Sequence, residues 1–405
     1  MRLWVFGIVE EGNALRRRGI FDPCSRYNLN SMIRWSPSLI AISLAAVAAF
    51  FGAAKFSICT TARAQELDFE LDATGRVLPE VGPGVRALRR DKAGRYYALS
   101  APGSSVMSYH ANGRLLGKIP PDPTKETAIV NGVDFDVDAT GQIYVADTGA
   151  NLIRVYSNIE DEGRDIAEFP VSAPVSVAAL PDGEIAVTSI HVHRLIQIFD
   201  FHGKLLREFG YLEDLADHRD LNRYLNSGRL LTDPASHLYL AFLHLPEPTV
   251  RRYDRAGTST LEIELNTLEF APEATAKRRV IQDQDEKGKP IDLKPVINAV
   301  GVDPVNGDIW IAVDDELVHY DSTGDRKGVT YRTFTADGTR VAPVSILVEP
   351  NRLLLAADPI GVYAFARPDK LGSNPEPKPA EKSEAKPGDK TSAAPEKPAA
   401  TSQKP

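Results

Sequence analysis

The sequence is poor in sulfur, with two cysteines and three methionines in 405 residues. Both cysteines, Cys24 and Cys59, fall within the first 64 residues. Beyond them, disulfides, thiolate zinc sites and cysteine nucleophiles are excluded together. A domain without such staples relies on its core, which favours a large fold over a small one. Excess positive charge is also missing. The formal charge is −8, and the first 64 residues hold eight Lys/Arg against three Asp/Glu, leaving 39 against 52, or −13, for the remainder. An electrostatic binder of nucleic acid needs the opposite sign. Long helical patterns are scarce as well, and with 29 glycines and 29 prolines the chain turns often. Collagen and coiled coil are excluded. No serine nucleophile elbow, phosphate-binding loop or zinc-protease helix motif occurs. What is present is 43% hydrophobic and 25% charged residues, ample for a soluble core.

The two ends read as accessories to that core. Arg34 precedes an apolar run from Leu39 to Ala54, and Ala62-Arg63-Ala64 presents small residues at the positions a signal peptidase reads. Cleavage before Gln65 is expected, and Met32 makes a natural start, since residues 1–31 fit poorly ahead of such a signal. The alternative is an uncleaved anchor, because a run of this length nearly spans a bilayer of about 30 Å. A lipidated Cys59 is disfavoured, because Ile58 stands where a small residue belongs. The expectation is an exported protein, periplasmic or extracellular, that touches membrane only through an uncleaved N-terminal segment. From Arg367 onward, Pro, Lys, Glu, Ala and Ser dominate without apolar periodicity, so residues 367–405 read as a disordered tail.

Between the ends lies a weak repeat. Val133-Asp134-Phe135-Asp136-Val137-Asp138-Ala139-Thr140-Gly141 followed by Ile143-Tyr144-Val145-Ala146-Asp147 and Leu152-Ile153-Arg154-Val155-Tyr156 spells three strands. The first two flank a glycine turn. The pattern returns around Gly183 and Gly307, and in degenerate form around Gly94, Ser236 and Asn351. The intervals are 47, 42, 53, 71 and 44 residues, a period near 45 interrupted by one insertion. That period is the spacing of four-stranded propeller blades. A second turn, as at Gly113, Gly203, Gly257 and Gly324, marks the hairpin between third and fourth strands. The sixth unit ends at Gly361-Val362-Tyr363-Ala364-Phe365 without this hairpin, and a counterpart stands at Asp72-Ala73-Thr74-Gly75-Arg76-Val77-Leu78. The fold class expected is all-β: a six-bladed β-propeller over residues 65–366, with the N-terminal strand closing the last blade.

Residues 133–156 resemble the NHL-repeat type of six-bladed propeller, and the gluconolactonase-like and peptidylglycolate-lyase-like propellers share the blade pattern. The resemblance covers residues 67–366 and implies blades rather than chemistry. It implies, for a lactonase, a metal held by a glutamate, an Asn-Gly asparagine and a Pro-Asp-Gly aspartate. Asn131-Gly132 matches the second, but Glu80 is shifted by one residue and Val175 cannot ligate, so that site does not carry over. The lyase's Pro-His-Ser step is absent too.

Loops joining second to third strands, and those entering the next blade, share one face around the channel, the default ligand site. They supply Asn131, Asp147, His191, His193, His244, Asp314 and Asp358 as candidate binding residues. His191, His193 and His244 are also the candidates for a divalent metal, through neutral imidazole, against the plainer reading of unrelated loop histidines. No cofactor is otherwise expected. Asp134, Asp136 and Asp138 alternate as in a calcium loop, but Ala139 and Val145 occupy the glycine and glutamate positions, and an innermost strand explains the alternation. The insertion, about Leu261 to Pro295, reads as a polar lid or excursion over the same face. The expected function is binding of protein, peptide or carbohydrate on that face. The alternative is a metal-dependent lactonase, lyase or hydrolase.

Overall fold

A computed structural model of the chain describes residues 69–370, apart from 121, 123, 192 and 289–292. The chain divides after residue 65, and every described residue belongs to the second unit. The expected export segment and cleavage site, both cysteines and residues 371–405 of the expected tail lie outside the described residues.

Antiparallel strands build nearly everything. Strand β1 (Phe69–Val77) comes first, followed by four separate four-stranded sheets in simple meander order. These are β2 (Val85–Arg90), β3 (Tyr96–Ser100), β4 (Val106–Tyr109) and β5 (Leu115–Ile119); β6 (Gly132–Val137), β7 (Ile143–Asp147), β8 (Leu152–Tyr156) and β9 (Asp165–Pro170). Then come β10 (Pro174–Ala179), β11 (Ile185–Ser189), β12 (Ile196–Phe199) and β13 (Leu205–Phe209); β14 (Gly228–Thr232), β15 (Leu238–Phe242), β16 (Thr249–Tyr253) and β17 (Ser259–Glu264). The last seven strands are β18 (Ala299–Val302), β19 (Ile309–Val313), β20 (Glu316–Tyr320), β21 (Arg326–Phe334), β22 (Ser345–Val348), β23 (Arg352–Ala357) and β24 (Gly361–Ala366). They join with β1 in one eight-stranded sheet of order β18-β19-β20-β21-β1-β24-β23-β22.

The result is an all-β, propeller-like arrangement of four-stranded sheets. The first strands touch in sequence, β2 with β6, β6 with β10, β10 with β14, β14 with β18, β18 with β22, and β22 with β2. They therefore ring a central channel. The second strands are sandwiched between neighbouring sheets, and β7, β11, β15 and β19 are buried at every residue. That double burial is why they read as continuous apolar runs. Hydrophobic cores fill each gap between successive sheets, and one, with Trp310 and Ala312 against Leu353 and Leu355, packs the two halves of the eight-stranded sheet face to face.

Six separate sheets were expected, and β1 accounts for the difference. Residues 73–77 pair antiparallel with β24, completing its sheet, while residues 69–72 pair parallel with β21. One strand thus stitches two sheet edges. The stretch Asp72–Leu78, read as a hairpin, is instead this strand with a register shift between Ala73 and Gly75.

The repeating turns have a repeating chemistry. Asp91, Asp138 and Asp233 each accept the N–H four residues on (Arg95, Gln142 and His237), and each also accepts the hydroxyl of the tyrosine six residues on (Tyr97, Tyr144 and Tyr239) at 3.1–3.2 Å. Each turn is thereby tied to the second strand of its own sheet. The glycine of the later hairpin packs on the preceding sheet's outer strand. Gly203 has φ of 76°, and a Cβ there would meet Phe169 at 2.3 Å.

Two boundaries differ from expectation. Leu261 belongs to β17, so the insertion begins after Glu264. Arg367, read as the start of the tail, is 1% exposed and pairs with Asp303 and Asp369.

Candidate functional site

In a meander, successive connections alternate between the two ends of the sheet. The glycine hairpins therefore occupy one face, and the β3–β4-type loops share the other with the connections into each next sheet. Both α-helices among the described residues are on this second, loop-rich face: α1 (Arg219–Leu225), ahead of β14, and α2 (Ala271–Lys287), within the insertion. The insertion is thus folded rather than a bare polar excursion. Ile281 of α2 packs with Leu221 and Leu225 of α1 and with Leu293. The Asp285 carboxylate accepts the N–H groups of Asp217 and His218 at 2.8 and 2.9 Å, clamping α2 to the segment that leads into α1.

The candidate residues separate into four groups. Asp147 is fully buried and structural, accepting the N–H groups of Val130, Asn131 and Ala150 and the Nε of Arg154. Asn131 accepts from Arg86 Nη1 at 2.7 Å. Arg86 also donates to the carbonyls of Ala101 and Gly132, and Asp358 is the charge that opposes the burial-driven lowering of its pKa. Arg86 therefore links Asn131 and Asp358, a role that its place in an arginine-rich inner strand did not advertise.

His191 and His193 are exposed on the β11–β12 loop, and Asp314 is exposed at the β19–β20 turn. His244 is instead buried and stacked on Tyr224, with ring centroids 4.5 Å apart. Burial and the Lys277 charge push it down to about 4, against a hydrogen bond to the Lys294 carbonyl. No three His, Cys, Asp or Glu side chains gather as a metal-binding group among the described residues, so His191, His193 and His244 do not form one.

Sequence reasoning missed the charged lining of the channel. Arg89 donates to the Leu88 carbonyl and to Asp134 at 2.9 Å, and its Nε lies 3.5 Å from Asp136. Asp134 also accepts the Ser176 hydroxyl, and Ser176 Oγ accepts the Leu230 N–H at 2.9 Å. Asp136 accepts the Ala179 N–H at 2.9 Å, yet burial outweighs that bond and Arg89 and raises it to about 6. Arg229 donates to the Val344 carbonyl, and burial lowers its pKa against the pull of Asp134. A signal for these was available. Asp134, Ser176, Arg229 and Ser345 share one rung, each four residues ahead of the residue that opens the next hairpin: Asp138, Leu180, Asp233 and Glu349.

Aromatic and apolar groups stand free on the loop-rich face. Tyr211 is 75% exposed, with the Arg194 guanidinium 3.9 Å above its ring, while Val130 and Leu268 are 62% and 92% exposed. Together the fold and this face define a propeller-like β-protein with a charged channel and a mixed apolar, cationic and polar rim.

No family model and no curated protein matches the chain. Among solved structures, the RRP9 WD40 repeats are 11% identical with a TM-score of 0.46, over 74% of this chain and 99% of that one. A streptogramin B lyase is 14% identical with a TM-score of 0.45, over 71% and 84%. Virginiamycin B lyase from Staphylococcus aureus is 12% identical with a TM-score of 0.44, over 73% and 87%. At these identities and TM-scores the likenesses assign this chain neither a family nor an activity.

Proposed function

We propose that this protein is an exported six-bladed propeller of NHL type that binds a protein, peptide or carbohydrate on its loop-rich face. In this reading the eight-stranded sheet counts as two blades sharing β1, and residues 1–64 carry the export signal. The observation that carries the binding role is the Arg194–Tyr211 stack, a large ring 75% exposed, on the same face as Val130, Asn131 and Asp358. An exposed aromatic held by a guanidinium offers apolar area with little conformational entropy left to lose, which is the chemistry of binding hot spots.

The test begins with peptide and glycan arrays probed with the purified chain. Any ligand recovered is then titrated against Tyr211→Ser, Val130→Ser and, on the opposite face, Val305→Ser. Tyr211→Ser weakens binding at least tenfold, by about 1.4 kcal/mol or more, and Val305→Ser leaves it unchanged. A ligand that ignores Tyr211→Ser and Val130→Ser but loses affinity with Val305→Ser would place the binding surface on the other face.

A further inference from the structure

Arg229 is the one channel arginine without a carboxylate. Arg89 spends its guanidinium on Asp134, Asp136 and the Leu88 carbonyl, whereas Arg229 has a single hydrogen bond, to the Val344 carbonyl, and no ion pair among the described residues. Four of its five N–H groups therefore lack a protein acceptor. Arg229 is partly exposed, so its remaining N–H groups open onto the channel, where an anion can take them up.

Beside it lies a cavity of about 10 Å³, lined by Arg89, Arg229, Asn298 and Ser345 with apolar walls that include Leu231 and Ile297. No carboxylate lines it. Each polar liner has a donor to offer. Asn298 Oδ1 accepts the Asp314 N–H at 3.1 Å, so its amide NH₂ remains. Ser345 Oγ accepts the Leu88 N–H at 3.0 Å, so its O–H remains. The volume is that of a single water-sized body. Asp134, whose charge acts on Arg229, is already held by Arg89 and Ser176. The cavity thus presents positive charge and hydrogen-bond donors, and no uncommitted acid.

We infer that the channel holds a halide ion between the Arg229 guanidinium, the Asn298 amide and the Ser345 hydroxyl. The inference is independent of what the loop-rich face binds. The occupant offsets the arginine's charge and couples β14, the residue leading into β18, and β22 through one centre.

The experiment uses the purified full chain in chloride, bromide, formate, sulfate and gluconate at equal ionic strength. Above its dissociation constant, a halide raises the melting temperature by about 2–4 °C per tenfold increase in concentration beyond any rise seen in Arg229→Met, whereas formate, sulfate and gluconate, all larger than a water-sized cavity, shift both proteins equally. A formate response as large as the halide response, and absent in Arg229→Met, would show an open anion patch in place of a halide cavity and overturn the inference. Arg229→Met keeps the side chain's bulk and abolishes the dependence. If that variant does not fold, diffraction from bromide-soaked crystals decides in its place, with an anomalous peak within hydrogen-bonding reach of Arg229 and Asn298. Halide responses that are equal in the native protein and Arg229→Met, or a water and no bromide at Arg229, would overturn the inference.

Discussion

Asp136 stands in the channel at a cost, and replacing it with asparagine should stabilise the protein at neutral pH. Burial raises its carboxyl from 3.8 to about 6 despite Arg89 at 3.5 Å and the Ala179 N–H at 2.9 Å. A raised carboxyl pKa means that the folded state holds its proton longer than the unfolded chain does. Below pH 4 both states are protonated and no penalty exists. Between pH 4 and 6 the unfolded chain ionises first, and stability falls as pH rises. Above pH 6 the penalty is constant at roughly two pKa units, about 3 kcal/mol. Asp136→Asn is uncharged at every pH and retains an acceptor for the Ala179 N–H. It should therefore match the wild type at pH 4 and exceed it at pH 7 by about 1–3 kcal/mol, a rise of roughly 2–10 °C in melting temperature. The assay is thermal unfolding of both proteins from pH 4 to 8, read as the difference between them, so that other titrating groups cancel. A difference that is flat across this range, or a variant less stable at pH 7, would refute the reasoning.

His244 should act in the opposite direction. Buried and lowered from 6.5 to about 4, it contributes stability that is complete above pH 6.5 and is lost as pH falls toward 4, about 3 kcal/mol in all. His244→Phe, which keeps a ring on Tyr224, should remove that part of the acid sensitivity in the same assay. Gly203→Ala forces a left-handed φ of 76° on a side chain and drives its Cβ into Phe169, so denaturant unfolding should show a loss of about 2–4 kcal/mol. Removing residues 66–77 strips β24 and β21 of their shared partner, and a melting temperature equal to that of the intact chain would show the stitching to be dispensable. Replacing residues 272–290 with a glycine-serine link should lower the melting temperature, because Ile281 leaves the cluster with Leu221 and Leu225.

The sheet framework was legible because strand and turn signals recur. All six glycine or degenerate turns assigned from the repeat, at 94, 141, 183, 236, 307 and 351, fall between a first and a second strand. The missing outer strand beside β24 was readable from the ends of the repeat. Its second pairing with β21 was not, since a parallel edge contact leaves no mark in either strand's pattern. The insertion helix was obscured by polarity: Ala274, Ile281 and Gln284 are its only buried residues, too few to give a strong apolar stripe. The site was harder for a different reason. His244 and Asp147 look like loop ligands in sequence, but whether a polar side chain faces solvent or satisfies buried N–H groups is decided by neighbours far along the chain. Arg229 and Asp134 lie 95 residues apart in sequence, and the charge of one reaches the other only because β6 and β14 line the same ring.

Hydrogen–deuterium exchange of the purified chain, with and without the tightest ligand recovered from the arrays, tests most directly whether the loop-rich face is the binding surface. Protection concentrated at residues 127–131, 190–195 and 210–216 is the result the account predicts. Protection at the hairpins around Gly94, Gly183 and Val305, with those three segments unchanged, would contradict it.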